Sequence, residues 1–336
     1  MKNVANRLGS NPREHNIAQT QKTNADGKLN VFVTTFNVAG SDSSEPFGKW
    51  FDFDRSHLPD LVVVGLQEIV ELKAAKIARS VTEHRKQNWL KALHNALTKI
   101  DEHYKLVKHE NLLGLLLVVY HRSSLDIKEV YANNIANGKM NILGNKGGVG
   151  ISLTIEENLK ICFINSHLAA GVEEKRDEAR NKDAKRIEKE LKFNEKHVQD
   201  HDIVFWMGDF NYRLSEEMQS NRDQVLQDCN NSTPDQNCLD ILKHHDQLKK
   251  QKDAGNVFVG FHEGEIKFRP TYKFNRGTSA WDDSPKLRVP AWCDRILFKP
   301  LPNAKVDLVE GSYTSLEDIS FSDHKPVKAL FHVTKK

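Results

Sequence analysis

Residues 203–213, IVFWMGDFNYR, are the most informative stretch of this 336-residue chain. The run Ile203–Asp209 is predicted to be a buried β-strand, and Trp206-Met207-Gly208 favours a tight backbone geometry near its end. Asp209 and Asn211 are two residues apart, so both side chains can point to one face. The Asp can accept a proton from water, and the Asn can hold a phosphoryl oxygen or orient the Asp. An Asx turn after a strand is the common alternative.

Five further polar blocks end or lie in strand-like apolar runs elsewhere in the chain. The open ends of strands are where α/β folds place their sites. Carboxylates, amides and imidazoles in this arrangement suggest metal-assisted hydrolysis of a phosphate ester. The blocks are Phe36-Asn37, Gln67-Glu68, Asn165-Ser166-His167, Trp292-Cys293-Asp294-Arg295 and Ser322-Asp323-His324.

Glu68 closes a fully apolar run and could be a ligand for a hard cation such as Mg²⁺, or equally a surface residue opening a helix. Most of the fifteen histidines look like solvated helix residues, but His167 and His324 each lie at the end of an apolar run, beside polar groups. Asp294 lies inside an apolar strand and needs a partner there. We therefore expect an Asp294–His324 dyad.

Basic residues form a second group on either side of Trp281 and before the strand that contains Asp294. Lys and Arg on segments ordered by Pro, Tyr and Trp suit a substrate with additional phosphates, and a solvated loop is the weaker alternative. The group consists of four basic residues and one tyrosine: Arg269, Tyr272, Lys273, Lys286 and Arg288. The Gly-rich stretch 141–150, NILGNKGGVG, matches no standard phosphate-binding loop. Its Lys146 could bind an anion, although a plain hairpin is slightly favoured.

Composition predicts a soluble globular protein, and residues 29–336, which no repeat, low-complexity tract or Pro/Gly linker divides, are expected to form one domain. The chain is 38% hydrophobic and 28% charged, and its net charge of +3 is too small to indicate a nucleic-acid binder. Residues 1–28 are polar and are predicted to be a disordered leader without a secretory signal. The longest apolar stretch, Leu112–Tyr120, is too short to span a bilayer. Without CxxC spacing, all cysteines are expected to be reduced, as in a cytosolic protein: Cys162, Cys229, Cys238 and Cys293.

Strand-like and helical segments alternate from residue 29 to residue 336, which predicts sheets with outer helices. Helices are expected at 72–100, 173–197 and 239–252. The second of these is highly charged and is expected to be a solvated surface helix. Strands are expected at 30–37, 61–67, 112–121, 148–155, 160–167, 203–209, 271–274, 293–299, 305–308 and 325–333.

Several of these segments closely resemble the signature segments of inositol polyphosphate 5-phosphatases. They are NSHLAAG, FWMGDFNYR, RPTYKF, PAWCDRILF and SDHKPV, and TFNVAG, LQEIVEL and GNKGGVG extend the similarity over roughly residues 29–333. The QEIVEL stretch is most similar to synaptojanin-type members. The Gly-Asp-x-Asn and Ser-Asp-His elements alone would indicate only the wider superfamily of deoxyribonuclease-I-like phosphoesterases.

The resemblance implies a four-layer α/β sandwich, with two packed mixed β-sheets flanked by helices, and a role for each matching residue. Asn37 and Glu68 would hold Mg²⁺, with Asp323 near the metal or the dyad, and Asp209 would activate the attacking water. Asn211 and His167 would bind the transferred phosphoryl group, and His324, paired with Asp294, would stabilise negative charge. Lys273, Tyr272, Lys286 and Arg288 would bind a neighbouring 4-phosphate, with Asn145 and Lys146 near the remaining phosphate or the headgroup. No covalent phosphoenzyme is expected, since Cys293 lacks the Cys-x5-Arg spacing.

The implied function is Mg²⁺-dependent hydrolysis of the 5-phosphate of phosphoinositides such as phosphatidylinositol 4,5-bisphosphate, and of soluble inositol polyphosphates. The enzyme would be cytoplasmic and peripheral at cytosolic membrane faces, with no nucleic-acid partner. The alternatives are a nuclease or sphingomyelinase of the same superfamily, or a non-catalytic phosphoinositide-binding module. The basic segments favour the phosphatase, and the presence of all the expected catalytic residues argues against the module.

Overall fold

The structure is a computed structural model that describes residues 28–43, 47, 49–70, 79–122, 125–137, 146–155, 158–173 and 175–335. The α-helices in these ranges are α1 Arg79–Ile100, α2 Arg176–Glu190, α3 Glu216–Ser220, α4 Arg222–Asp228, α5 Gln236–His245 and α6 Gln247–Asp253. The strands are β1 Leu29–Asn37, β2 Leu61–Gln67, β3 Tyr104–Leu112, β4 Leu115–Arg122, β5 Ile127–Asn137, β6 Lys146–Ile155, β7 Leu159–His167, β8 Lys192–Phe193, β9 Lys196–His197, β10 Ile203–Asp209, β11 His262–Glu263, β12 Asp294–Pro300, β13 Ala304–Leu308, β14 Thr314–Ser315 and β15 Val327–Lys335.

Two mixed sheets are built on the same plan around a parallel central pair. The first has the order β13-β15-β1-β2-β4-β3, with β14 beside β15, and only β1 and β2 are parallel. The second has the order β11-β12-β10-β7-β6-β5, and only β7 and β10 are parallel. In each sheet the carboxyl ends of the parallel pair therefore lie side by side.

The sheets pack face to face and helices cover their outer faces. Val31, Val63 and Phe205 belong to the core between the sheets. Val62 and Val64 belong to a second core, with α1, because successive side chains of a strand point to opposite faces. A third core, beside α2 and α6, covers the second sheet. The predicted four-layer α/β sandwich is confirmed, and β2 reads as an unbroken apolar run because both of its faces are buried.

A buried polar bridge joins the two sheets just beneath the ends of their parallel strands. Gln67 Nε2 donates to Asn165 Oδ1 at 2.6 Å, and Asn165 Nδ2 donates to the carbonyl oxygens of Leu66 and Leu116 at 2.9 and 3.0 Å. Both side chains are fully buried. These bonds satisfy the Asn165 amide and fix the separation of the sheets where the polar blocks converge, whereas Gln67 Oε1 is buried without a hydrogen-bond partner among the described residues.

Several predicted elements have different bounds. The helix predicted at 173–197 ends at Glu190 and is followed by the β8–β9 hairpin, because Leu191 and Phe193 enter the core. It is not merely solvated, since Arg180 is fully buried in it. The helix predicted at 239–252 is two helices, and Asp246 caps the second with a bond from Lys249 N.

Two strand predictions also change. The run predicted at 112–121 forms β4, and the preceding strand β3 was not predicted. The strand predicted at 271–274 is replaced by isolated bridges from Tyr272 to Ala291 and His324, and from Phe274 to Trp281. The helix predicted from residue 72 is described from Arg79 onward, and of the predicted leader all but Lys28 lies outside the described residues.

The prediction of four reduced cysteines is wrong for two of them. Cys229 and Cys238 form a disulfide bond, and their Cα atoms are 4.9 Å apart. Cys229 follows α4 and Cys238 lies in the first turn of α5, so the turn between the helices brings them together without CxxC spacing. Cys162 and Cys293 are free and buried. None of the helices in the described part of the chain is long and apolar enough to cross a lipid bilayer.

Candidate active site

The predicted site residues meet in a cavity of about 280 Å³ at the carboxyl ends of the parallel strands. Apart from Arg269 and Asp294, which lies behind His324, every described residue of the predicted set lines this cavity. Asn145 lies outside the described residues. A larger cavity of about 540 Å³ beside α5 and α6 is lined by Arg295 of the polar blocks, but by none of the residues to which a role was assigned.

The backbone bends sharply where three of these strands end. Ala39, Glu68 and Asn211 all have left-handed φ angles, of 49°, 53° and 59°, and all three line the cavity. Non-glycine residues adopt this conformation at a cost of roughly 1–2 kcal/mol each, so it persists only where the surrounding structure enforces it. Gly208 has a φ of 150°, and a Cβ there would lie 2.0 Å from the Ser166 carbonyl oxygen. Only glycine fits before Asp209.

Asp209 is buried at the centre of the cavity wall and accepts several hydrogen bonds. Asn37 Nδ2 donates to Oδ2 at 2.9 Å, and Asn211 N donates to Oδ1 at 3.0 Å. His167 Nε2 lies 3.2 Å from Oδ2. Burial raises the pKa of Asp209, but His167, His324 and Lys146 outweigh burial and hold its pKa well below the usual range. Asp209 is therefore ionised at neutral pH.

The Nε2 atom of His167 has two competing neighbours. It lies next to Asp209 Oδ2 and is also in short contact with Lys146 Nζ. Burial and the Lys146 charge lower the pKa of His167, and burial lowers the pKa of Lys146 to about 8. Nε2 can donate to Asp209 or accept from Lys146, but it cannot do both. An anion bound here would give Lys146 a better partner and free His167 to donate.

His324 and Asp294 form a buried pair. His324 Nδ1 lies 2.9 Å from Asp294 Oδ2, which also accepts a 2.7 Å bond from Thr271 Oγ1. Burial lowers the pKa of His324, but Asp294 and Asp209 outweigh burial and raise it to about 9. The ring is therefore a cation at neutral pH, and its Nε2 lies 3.9 Å from Asp209 Oδ2.

The block that carries His324 is tied to the end of β1. Ser322 Oγ donates to the Asn37 carbonyl oxygen at 2.6 Å and accepts from His324 N at 3.2 Å. Asp323, between them, is half-buried and lines the cavity. These bonds join two segments that are almost the whole chain apart in sequence.

The oxygen donors on one side of the cavity fit a hard cation. The Glu68 carboxylate is 28% exposed, and its nearest ionic partner among the described residues is His167 Nε2 at 3.9 Å. Asp323 and the Asn37 amide oxygen, which accepts from Ala39 N, lie on the same cavity. Carboxylate and amide oxygens are what Mg²⁺ and Ca²⁺ prefer.

A second group of potential ligands, Asp209, Asp294 and His324, has atoms within 4.8 Å of one another. Asp294 Oδ2 already accepts two hydrogen bonds there, and a protonated His324 repels a cation. The side with Glu68 is therefore the better cation site.

The opposite wall of the cavity is basic. It is formed by Tyr272, Lys273, Lys286 and Arg288. The Tyr272 ring lies 4.5 Å from the His324 ring, and Lys273 Nζ donates to Asp282 Oδ1 at 2.9 Å. Lys286 is exposed and Arg288 is half-buried, and neither forms a salt bridge among the described residues, although the Arg288 charge acts on the Glu173 carboxylate. Both cations can therefore bind an anion.

Sequence reasoning missed two arginines in the cavity and misplaced a third. Arg213, in the FNYR block, is buried, donates to Asn211 Oδ1 at 2.6 Å and lies 4.2 Å over the Tyr272 ring. Arg276 follows RPTYKF and donates to the Ala39 carbonyl oxygen. Arg269 does not reach the cavity, because it is bound to Glu317 at 2.6 Å and packs on Phe274 and Trp281. Arg213 and Arg276 lie within or beside the signature segments FWMGDFNYR and RPTYKF, and this position in the sequence could have indicated them.

Known phosphatases are similar to this chain in sequence. The model of the endonuclease/exonuclease/phosphatase family 2 matches residues 34–330. The chain is 35% identical over 330 residues to the type II inositol 1,4,5-trisphosphate 5-phosphatase of Mus musculus, covering 96% of this chain and 31% of that protein. It is 34% identical over 313 residues to the phosphatidylinositol 4,5-bisphosphate 5-phosphatase INP51 of Saccharomyces cerevisiae, covering 90% and 31%. The chain thus spans about a third of the length of these relatives.

A solved structure is also similar. The inositol polyphosphate 5-phosphatase domain of SPsynaptojanin, in complex with inositol (1,4)-bisphosphate and a calcium ion, matches with a TM-score of 0.77 and 33% identity. The match covers 92% of this chain and 86% of that one. The resemblance found in the signature segments is confirmed over most of the chain.

Proposed function

Because the chain belongs to the endonuclease/exonuclease/phosphatase family 2, we propose that it hydrolyses the 5-phosphate of phosphoinositides and inositol polyphosphates. One observation carries this proposal. A single cavity contains an ionised Asp209, the His324–Asp294 pair, a cluster of oxygen ligands around Glu68 and a basic wall with free charge. The similar proteins named as inositol 1,4,5-trisphosphate and phosphatidylinositol 4,5-bisphosphate 5-phosphatases support it.

Asp209 orients the attacking water and takes its proton. Its Oδ2 is held by Asn37 and its Oδ1 by Asn211 N, so the carboxylate cannot rotate away. A carboxylate with a lowered pKa is a weak base, so the proton moves only as the new P–O bond makes the water acidic. Until then the main contribution of Asp209 is to hold the water in line with the phosphorus.

The donors around Asp209 stabilise the phosphoryl oxygens. His324 is a cation with its Nε2 on the side of Asp209, and its position is fixed by Asp294. His167 donates from Nε2 once the phosphate attracts Lys146, and the Asn211 amide lies beside it in the cavity wall. Preorganised donors of this type are usually the largest contribution to catalysis of such transfers.

We further propose that Glu68, Asn37 and Asp323 hold Mg²⁺. The bound ion would neutralise phosphate oxygens and stabilise the leaving inositol oxygen. The oxygen-only donor set supports a hard cation, and the similar synaptojanin domain was solved with a calcium ion. Glu68 holds its carboxylate in the cavity through its left-handed backbone conformation.

The basic wall accounts for the choice of substrate. Lys273, Lys286 and Arg288, with Tyr272, would bind the 4-phosphate next to the phosphate that is removed. Lys146, beside His167, would lie near the remaining phosphate or the headgroup. Work on a lipid substrate would place the enzyme peripherally at the cytosolic face of a membrane.

Product analysis tests the proposal. The protein is incubated, with and without Mg²⁺, with a panel of short-chain phosphoinositides, soluble inositol phosphates and supercoiled DNA, and the products are separated by chromatography. We expect Mg²⁺-dependent loss of the 5-phosphate alone. Nicked DNA with intact inositol phosphates would assign the site to a nuclease, and unchanged substrates that bind would indicate a non-catalytic module.

A further inference from the structure

A buried carboxylate lies behind the basic wall and organises it. Asp282 is 1% exposed and does not line the cavity. Its Oδ1 accepts from Lys273 Nζ at 2.9 Å and from Ser284 N at 3.2 Å, and its Oδ2 accepts from Arg288 N at 2.9 Å. One side chain therefore binds the lysine of one basic segment and both ends of the loop 282–288, which carries Lys286 and Arg288.

The same loop is held from the outside by α4. Arg222, the first residue of that helix, donates through Nη2 to the Asp282 carbonyl oxygen and through Nε to the Arg288 carbonyl oxygen at 3.4 Å. The Arg222 guanidinium thus joins the two ends of the loop, as the Asp282 carboxylate also does. Arg222 is half-buried and does not line the cavity.

We propose that Asp282 and Arg222 are positioning residues that hold Lys273, Lys286 and Arg288 in the arrangement that recognises the 4-phosphate. The inference rests on the proposed function of the cavity and extends it to residues that do not touch the substrate. The recognised group is a phosphate monoester on the ring carbon next to the carbon that carries the scissile phosphate. It can belong to a lipid or to a soluble inositol phosphate.

An electrostatic role and a positioning role of Asp282 predict opposite effects when its charge is removed, so the experiment can distinguish them. An acid near a phosphate site repels the substrate, so a purely electrostatic role predicts tighter binding when the charge is removed. A positioning role predicts weaker binding, because a neutral amide cannot accept from Lys273, Ser284 N and Arg288 N with the same strength. Only the positioning role confines the loss to substrates that carry the 4-phosphate.

The experiment compares Asp282→Asn with Asp283→Asn. Asp283 is the next residue, is exposed, and its side chain makes no contact among the described residues, so its replacement removes the same charge nearby. Initial rates are measured on dioctanoyl phosphatidylinositol 4,5-bisphosphate and on the corresponding 5-monophosphate. We expect Asp282→Asn to raise KM for the bisphosphate about tenfold, as for loss of one charge-assisted contact, and to change the monophosphate rate much less. Asp283→Asn should leave the ratio unchanged.

Arg222→Gln is the second variant, because it leaves the buried acid in place and remains informative if Asp282→Asn fails to fold. Its control is Arg55→Gln, at an exposed position away from the cavity. We expect Arg222→Gln to lower the preference for the bisphosphate in the same way. In a variant with Lys273, Lys286 and Arg288 already replaced by Ala, adding Asp282→Asn should cause little further loss of preference, because the three residues that Asp282 positions are gone.

The outcomes separate the two proposals. A bisphosphate preference that stays the same or increases in both Asp282→Asn and Arg222→Gln overturns the positioning role, whereas a wild type that releases no 5-phosphate overturns the proposed function instead. Soluble inositol 1,4,5-trisphosphate and inositol 1,5-bisphosphate are run alongside the lipids. The same ratio change in both series is expected, and a change confined to the lipids would contradict recognition of the phosphate itself.

Discussion

Asp209 is fully buried and carries a charge that its neighbours stabilise. Replacing it with Asn, which has the same shape, tests its ability to accept a proton. We predict that Asp209→Asn lowers kcat by about 10²–10⁴-fold, the range typical of a positioned base, while a non-hydrolysable substrate analogue still binds. The amide cannot take a proton from water, but it fills the same space. Steady-state kinetics, with a thermal melt to show folding, measure this, and Asp223→Asn on the exposed surface of α4 is the control. Activity within tenfold of wild type would show that another group is the base.

The His324–Asp294 pair should behave as a unit. Asp294 is 0% exposed and its carboxylate binds the ring nitrogen of His324. We predict that Asp294→Ala and His324→Ala each cripple kcat, and that the double variant is little worse than either single one. The measurement is a double-mutant cycle on kcat with one soluble substrate. Strictly multiplicative losses would mean that the two residues act independently.

At the level of single residues, the sequence identified groups that close an apolar run. Asp209, Glu68 and His167 stand out because a strand with two buried faces ends abruptly in a polar side chain. Residues such as Arg213 and Asp282 could not be assigned in this way. Their partners, the Tyr272 ring for one and Arg288 N for the other, are brought near by tertiary folding alone.

Among the elements, the central strands were predicted, whereas the edge strands β3 and β5 were missed and the edge strand β13 was found. β2 and β10 have the predicted bounds, because burial on both faces makes the run uniformly apolar. β3 lies at the edge of its sheet, and its residues 104–112, YKLVKHENL, are mostly half-buried or exposed, so their sequence shows no clear alternation of apolar and polar residues. The division between α5 and α6 depends on Asp246, which also binds the buried Arg295 at 3.0 Å, a contact invisible in local sequence.

The end of β2 makes a prediction about metal dependence. Glu68 continues this strand into the cavity, with a carboxylate that has few protein partners. We predict that EDTA abolishes activity, and that Glu68→Gln raises the Mg²⁺ concentration needed for half-maximal rate because an anionic ligand is lost. Rates across a Mg²⁺ titration, with circular dichroism as the check on folding, measure this. Full turnover in EDTA would eliminate the metal-assisted mechanism.

The turn after β9 contains a histidine that links stability to pH. His201 is fully buried, its Nε2 lies 2.7 Å from Ser152 Oγ, and burial lowers its pKa. The unfolded chain takes up a proton below about pH 6.5, whereas the folded protein does so only at lower pH. The contribution of His201 to folding stability is therefore fully present above pH 6.5 and falls as the pH drops below it, by up to about 1.4 kcal/mol per pH unit.

Urea unfolding at pH 7.5 and pH 5.5 measures this effect. We expect His201→Gln to be less stable than wild type at pH 7.5 but to lose less stability on going to pH 5.5. His244→Gln, at an exposed position on α5, should keep the wild-type difference. An equal loss in His201→Gln and wild type would show that the histidine does not titrate differently in the two states.

At the scale of the whole molecule, the net charge of +3 conceals a separation of charge within one cavity. Carboxylates and amides gather at the ends of β1 and β2, and free cations come from the loop before β12. The two-sheet fold brings these regions together, so overall composition does not indicate the proposed polyanionic substrate. The signature segments do: all of them except PAWCDRILF supply a residue that lines the cavity, and Asp294 of that segment lies behind His324.

This separation of charge predicts positional selectivity. Lys286 and Arg288 form no salt bridge among the described residues, so a bound phosphate can supply their counter-charge. We predict that replacing both with Ala slows hydrolysis of phosphatidylinositol 4,5-bisphosphate by about tenfold to a hundredfold. The 5-monophosphate should be affected much less, because it never made those contacts. The control replaces Lys91 and Lys99, exposed on α1, and removes the same charge away from the cavity.

Rates of phosphate release from the two lipids, measured in one buffer, give the ratio of bisphosphate to monophosphate hydrolysis. Equal losses on both substrates would place the two side chains at the scissile phosphate, or in the support of the fold, and not at the 4-phosphate.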